Sequence, residues 1–235
     1  FDFYERTLQY QASIYKHQGQ FQQAQEVYRR LLVGIEENAV DDKDLLAKQF
    51  SVYRLLSQTY AESGDLKKAI EIEQRLLNDQ EVRRNLINDN TGTSLLLTHI
   101  THLIEVNEFD EALKQQLFLN KSVALNPLFQ FVNLENKARL SQGMGNHTQA
   151  LEQIDQAIIA AHNYRENATH PDVIKLKMRK AQFFDLSDRE REAFKMYINL
   201  LQQLNDTEKD QTFVNNRLKI NILNGIFSSN ESSTL

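Results

Sequence analysis

The chain has 235 residues, of which 41% are hydrophobic and 25% charged, with a net charge of −5, seven glycines, two prolines and no cysteine. So few Gly and Pro leave too little punctuation for an all-β or loop-rich fold, whereas the abundant Gln, Leu, Ala, Glu, Lys and Arg favour helix. The missing cysteine excludes disulfides, thiolate catalysis and Cys-ligated zinc, and the acidic balance argues against nucleic acid, whose recognition needs a basic face.

No apolar run approaches the roughly 20 residues that span a bilayer, so no direct membrane contact is expected. The composition fits the cytoplasm and a periplasmic sensor domain alike. The chain begins at Phe1 rather than methionine and reads as a piece of a longer protein.

Helical periodicity predicts a first helix from about Asp2 to His17, with Tyr4, Leu8, Ala12 and Tyr15 on one stripe. Gly19 breaks it, and Phe21, Ala24, Val27, Tyr28 and Leu31 form the stripe of a second helix. After a polar link ending in Asp41 and Asp42, either able to cap the next helix, a second pair covers about Lys43 to Arg84. Phe50, Tyr53, Leu56 and Tyr60 line its first helix; Leu66, Ala69, Ile70 and Leu76 line its second. Turn formers throughout Asn88-Asp-Asn-Thr-Gly-Thr predict a loop, and a third pair runs from Ser94 to about Leu125. Within it Asn107 stands at the turn, where Asn tolerates the left-handed conformation best after Gly. Asn126-Pro127 ends that pair, since Pro cannot continue a helix but starts one well. A fourth pair covers Leu128 to about Arg165 and a fifth Pro171 to about Leu204, with Gly145 and Asp188 at their turns. One unpaired helix, about Lys209 to Phe227, precedes a Ser-rich tail over 228–235 that reads as disordered.

The pairs repeat. A small residue seven before Gly19 or Gly64, a tyrosine four before, an apolar residue two after and an alanine five after recur as Ala12, Tyr15, Phe21, Ala24 and as Ser57, Tyr60, Leu66, Ala69. Turns at 19, 64, 107, 145 and 188 give intervals of 45, 43, 38 and 43 residues. Hairpins that each bury a face on the next predict one stacked domain over 1–227.

These residues, with Leu103, Phe109, Ala112, Ala138, Ala150, Ala181, Phe184, Ala193 and Tyr197 as weaker echoes, resemble the tetratricopeptide repeat (TPR) family. The units exceed the usual 34 residues and lack the frequent tryptophan, Leu8, Tyr53 and Leu134 standing in its place. Such long units look like those of bacterial regulatory proteins and kinesin light chain. The resemblance implies an all-α, right-handed superhelical solenoid of about five antiparallel helix pairs with a C-terminal capping helix. It further implies a non-catalytic, protein- or peptide-binding scaffold or sensor module of a larger bacterial regulatory or signalling protein. The other expectations are a regulatory domain cut from a signalling enzyme or transcription regulator, and a self-association module.

In the family the first helices line a concave groove. The positions implied here are Arg6, Gln9, Ser13 and Lys16; Arg54 and Gln58; Thr98 and Thr101; Glu135, Arg139 and Gln142; and Lys175, Arg179 and Gln182. Arg pairs with carboxylates and Gln bonds a peptide backbone, so a peptide or acidic segment is the expected partner. Ser13 and Gln58 stand where relatives that clamp a C-terminal carboxylate carry asparagine, so that clamp is not expected. A homodimer through the last helix would use Leu218, Leu223, Ile226 and Phe227.

No nucleophile–base pattern or phosphate loop is present and no cofactor is expected. His99 and His102 share a helix face, but no carboxylate joins them at ligand spacing, so no metal is expected; one should pack inside and the other lie exposed. His147 and His170 lie near turns without a visible partner. Asn-x-Ser/Thr sequons such as those at Asn146, Asn167, Asn205 and Asn230 arise easily in an Asn-rich chain.

Overall fold

The computed structural model describes residues 2–38, 42–78, 90–122, 125–206 and 218–226, and among these every regular element is an α-helix. The helices come in pairs. They are α1 (Asp2–His17) with α2 (Phe21–Asn38), α3 (Asp42–Glu62) with α4 (Leu66–Asn78), and α5 (Asn90–Glu105) with α6 (Phe109–Ser122). Then follow α7 (Pro127–Gly143) with α8 (His147–Arg165), α9 (Pro171–Asp185) with α10 (Glu190–Asp206), and a last helix α11 over 218–226.

The same backbone motif closes the first helix of each pair. Gly19, Gly64, Asn107, Gly145 and Asp188 all take positive φ, from 55° at Asp188 to 88° at Gly64. The next residue turns its N–H back five positions: Gln20 to Tyr15 O at 2.8 Å, Asp65 to Tyr60 O at 2.9 Å, Glu108 to Leu103 O at 2.9 Å, Asn146 to Ser141 O at 2.8 Å and Arg189 to Phe184 O at 3.0 Å. With the accompanying bond from the left-handed residue to the carbonyl three before it, this is the Schellman closure, which satisfies carbonyls that a helix end leaves orphaned. The turn residues read from the sequence, including the Asn and Asp substitutes, are therefore the left-handed ones. Ala24, Ala69, Ala112, Ala150 and Ala193, five residues further on, are all fully buried where the second helix passes close to the first.

One departure from the sequence expectation concerns a helix end. Helix α5 starts at Asn90, not Ser94, and takes in Thr91, Gly92 and Thr93; Gly92 and Thr93 are buried, and tertiary packing overrides the turn propensity of those residues. Residues 207–217, which include the first half of the helix expected from about Lys209, lie outside the described residues, as do Asp41 and the tail. Pro127 and Pro171 each begin a helix as expected. Asn126 caps α7 by accepting the Phe129 N–H at 3.1 Å. His170, which showed no partner in the sequence, caps α9: its Nδ1 accepts the Asp172 N–H at 3.2 Å.

Chain contacts fall into two compact units, Phe1–Val123 and Ala124–Leu235. In the first, α2 packs on α3 and α4 on α5, so successive pairs stack. One core joins Leu8 and Ala12 of α1, Val27, Tyr28, Leu31 and Ile35 of α2, Val52, Leu56 and Tyr60 of α3 and Ala69 of α4. In the second, α8 packs on α9. Phe131, Ala138, Ile154, Ala157 and Val173 fill the space among α7, α8 and α9, and Ile174, Ala181, Tyr197 and Leu200 do so between α9 and α10. Helix α11 docks on this second core through Leu218 and Ile222. Gly225 lets it approach, since a Cβ there would lie 2.6 Å from the Tyr197 ring.

The left-handed turns carry a measurable cost. A Cβ at Gly64 meets nothing within 4 Å, so Gly64→Ala is penalised by its φ of 88° alone, by about 1–2 kcal/mol in urea unfolding. Asp188→Gly is neutral or stabilising, because relief of that strain offsets the roughly 0.5–1 kcal/mol of added unfolded-state freedom.

Candidate functional site

The first helices of neighbouring pairs are joined directly. In the first unit Lys16 Nζ of α1 lies 3.1 Å from Glu62 Oε1 of α3, and Lys48 of α3 lies 3.9 Å from Glu5 of α1. In the second, Arg179 Nε of α9 lies 3.6 Å from Glu135 Oε1 of α7. Each unit thus presents a face built from first helices, where the sequence reading placed the partner.

That face is best formed between α3 and α5. A narrow crevice, closed too tightly to hold a water molecule, is lined by Arg54, Ser57 and Gln58 of α3, Glu73 of α4, and Ser94, Leu95 and Thr98 of α5. Three expected groove residues, Arg54, Gln58 and Thr98, converge there. The Nε of Arg54 is buried and has no hydrogen-bond partner among the described residues. A desolvated guanidinium nitrogen left unmet is costly, and such groups are rare in folded proteins.

The other expected positions divide. Arg6 is exposed, Ser13 half-buried, and Gln9 donates to Glu5 Oε1 at 3.3 Å. Thr101 turns its hydroxyl onto Leu97 O of its own helix at 2.9 Å. In the second unit Glu135 and Arg179 pair, Arg179 also donates to Gln182 Oε1 at 3.0 Å, Arg139 is half-buried and Lys175 exposed. Gln142 is buried, and its Oε1 has no partner among the described residues. Of the self-association residues, Leu218 is corrected: it is 4% exposed and belongs to the core of its own unit. Leu223 is exposed and Ile226 half-buried, while Phe227 lies outside the described residues.

Behind the crevice is a polar centre that the spacing did not reveal. Glu73 has no exposed surface, and three side chains surround its carboxylate. Ser57 Oγ donates to Oε1 at 2.5 Å, His102 Nδ1 lies 2.9 Å from Oε1, and His99 Nδ1 lies 3.1 Å from Oε2. Both histidines are buried, at 1% and 8% exposure, so the expected division into one inside and one outside is corrected. The carboxylate that joins them comes from another helix. Burial pushes the Glu73 carboxyl up, but hydrogen bonds from His102, His99 and Ser57 and the attraction of His102 outweigh it and hold the group below the usual carboxylate range. The centre therefore carries an ionised carboxylate that ties α3, α4 and α5 together. Both Nδ1 atoms face carboxylate oxygens, and no cluster among the described residues is arranged to hold a metal. The available signal was Glu73 itself, which sits with Ala69, Ile70, Leu76 and Leu77 on the buried stripe of α4.

Paired helices closed by left-handed turns, alanines at the contacts and first helices side by side define a helical-repeat protein. The family model for the tetratricopeptide repeat matches residues 7–32, the first pair. That match covers the first pair alone, and the later pairs share its helical-hairpin fold. Among solved structures it is similar to the nearly identical TPR-like repeats of a Podosopora anserina kinesin light chain, at 15% identity and a TM-score of 0.63, covering 87% of this chain and 97% of that one. It is similar to BtubC (BKLC) from P. vanneervenii at 15% identity and a TM-score of 0.64, covering 86% and 80%. It is also similar to a tetratricopeptide repeat protein from Parabacteroides merdae at 15% identity and a TM-score of 0.59, covering 97% and 78%. At these identities the likeness concerns the fold. No curated protein matches the sequence. No described helix is long and apolar enough to cross a membrane.

Removing the central carboxylate strands three buried partners, so Glu73→Ala lowers the unfolding free energy of the first unit by about 3–5 kcal/mol. Because the folded carboxyl titrates below its ordinary value of 4.5, its stabilisation is complete above that value and is lost as pH falls through the folded pKa. Thermal unfolding between about pH 6 and pH 3 should show this loss, and Glu73→Gln should flatten it.

Proposed function

We propose that the protein is a non-catalytic scaffold that binds an extended, acidic segment of a partner protein across its first helices, with the α3–α5 crevice as the anchoring point. The observation that carries this reading is Arg54, whose buried Nε lacks a partner beside the polar side chains of Gln58, Ser94 and Thr98. A carboxylate accepts from a guanidinium in two parallel bonds, and neutral amide and hydroxyl groups suit the alternating donors and acceptors of a peptide backbone. The polar groups nearest the crevice support binding rather than chemistry, since the Ser57 hydroxyl donates to Glu73 and has no histidine base. The long repeat unit supports the finer reading that the module serves a larger bacterial regulatory or signalling protein.

A panel of 12-residue peptides, acidic and with Asp and Glu replaced by Asn and Gln, tests this by fluorescence anisotropy. Acidic members should bind, with affinity falling as salt rises. Arg54→Glu should weaken binding at least about tenfold, or about 1.4 kcal/mol, while circular dichroism stays unchanged. Equal binding by the folded Arg54→Glu variant removes the crevice as the anchor.

A further inference from the structure

Between α7 and α8 of the second unit lies an open groove of about 690 Å³, within the roughly 300–1,000 Å³ range of small-molecule sites. Its lining comes from this one hairpin. Leu134 of α7 and Ile159 and Ala160 of α8 form its apolar part. Gln130, Gln156 and Asn163 bring three carboxamides, and Tyr164 an aromatic ring. No lining residue is charged, in a chain where 25% of residues are. The groove also lies apart from the expected partner positions of this unit: neither Glu135, Arg139 and Gln142 nor Lys175, Arg179 and Gln182 line it.

Counted from each turn residue, the same places in the other pairs are charged. In the first pair Gln156 and Asn163 become Arg30 and Glu37, which line a smaller groove of about 370 Å³. In the second, Leu134 and Gln156 become Tyr53 and Arg75, and that guanidinium lies 5.6 Å over the ring. In the third, Ile159 becomes Lys121. In the fifth, Leu134 and Ala160 become Lys177 and Gln203, which bond at 3.3 Å across the hairpin. The fourth pair alone has amides and carbon where the others place charge, so stacking of the repeats does not account for its lining.

We propose that this groove binds a neutral carbohydrate, two linked sugar rings in length. A sugar ring has apolar C–H faces and a rim of hydroxyls that each donate and accept. A carboxamide offers both roles on one group and so meets two neighbouring hydroxyls at once. Gln156 and Asn163 are seven residues apart on α8, or about 10 Å along its axis, and Ile159 and Ala160 lie between them for the C–H faces. Gln130 adds a third amide from α7. None of the three side-chain amides has a hydrogen-bond partner among the described residues. Tyr164 is braced before a ligand arrives. The Phe131 ring lies 6.2 Å away, and Arg165 sits 4.8 Å over the Tyr164 ring while bonded to Asp172 at 2.6 Å. A charged ligand would lose water here and find no counter-charge. A peptide needs an enclosed pocket for an anchor side chain, whereas Gln130, Gln156, Ile159 and Asn163 are all exposed along the groove. The site is independent of the peptide reading, whose anchor Arg54 belongs to the first unit.

Amide chemical-shift titration of the isotope-labelled full chain with maltose, cellobiose, lactose and N,N′-diacetylchitobiose, each to about 20 mM, tests the proposal. At least one of the four should shift the amides of Gln130, Gln156, Ile159 and Asn163 along one saturating curve, with a dissociation constant of about 0.1–5 mM. Gln156→Ala and Tyr164→Ala should each weaken that binding at least about fivefold. Both side chains are exposed, so helix content stays unchanged in the variants. An acetylated, amidated Gly-Leu-Asn tripeptide, neutral and of similar size, should leave the four amides unmoved. No saturable shift with any of the sugars, binding that survives both alanine substitutions, or tighter binding of the tripeptide overturns the proposal. Arg54→Glu should leave sugar binding untouched, which separates this outcome from that of peptide binding.

Discussion

Five residues in the left-handed conformation set the geometry of this protein. Each lets the chain reverse within three or four residues while the outgoing N–H still reaches the carbonyl five positions back. The second helix then returns close enough that only alanine fits at its first hydrogen-bonded position. The small residues at the contact and the turn residue therefore act as one constraint: without the left-handed step the helices would splay, and without the alanines they could not close. Glycine supplies the step freely at three turns. At Asn107 and Asp188 the chain accepts some backbone strain, which packing of the pair holds in place.

Stacking of the pairs rests on different physics in the two units. In the first, apolar packing is supplemented by the buried Glu73 centre, which binds three helices and leaves its own donors satisfied. Such a centre adds little net stability against an apolar alternative, but a missing member is heavily penalised, so it selects one register of α3, α4 and α5. In the second unit the links between helices are more exposed. Lys180 meets Asp155 at 2.7 Å and Arg165 meets Asp172 at 2.6 Å, both partly open to solvent. Pairs of that kind contribute little each, and the apolar cores carry the stacking instead. Ser57, His99 and His102 all meet Glu73, so α3 and α5 are both held against α4 where Arg54, Gln58 and Thr98 converge.

Local features were legible in the sequence and contacts between distant helices were not. The turn at Asn107 could be read because Asn substitutes for Gly for a stereochemical reason, at a fixed distance from the recurring small and apolar positions around it. Likewise Pro127 and Pro171 announce helix starts whatever surrounds them. The start of α5 was missed because Asn-Thr-Gly-Thr has turn propensity, and its burial depends on what packs over it. His99 and His102 were legible as a pair on one face, yet their carboxylate lies 26 and 29 residues earlier on another helix. Leu218 read as exposed because the helix had no partner in the pairing scheme, whereas it docks on α9 and α10 through the space left at Gly225. Arg54, Gln58 and Thr98 were nominated from the groove that the family resemblance implies; only the packing of α3 and α5 on α4 brings them into one crevice.

The account stands on the first helices, and α3 and α5 above all, being the surface that meets a partner. The direct measurement is backbone amide chemical-shift mapping of the full chain titrated with an extended acidic peptide. Saturable shifts concentrated around Arg54, Gln58, Ser94 and Thr98 are predicted. Shifts confined to the second helices, with those four amides unmoved at saturation, would contradict it.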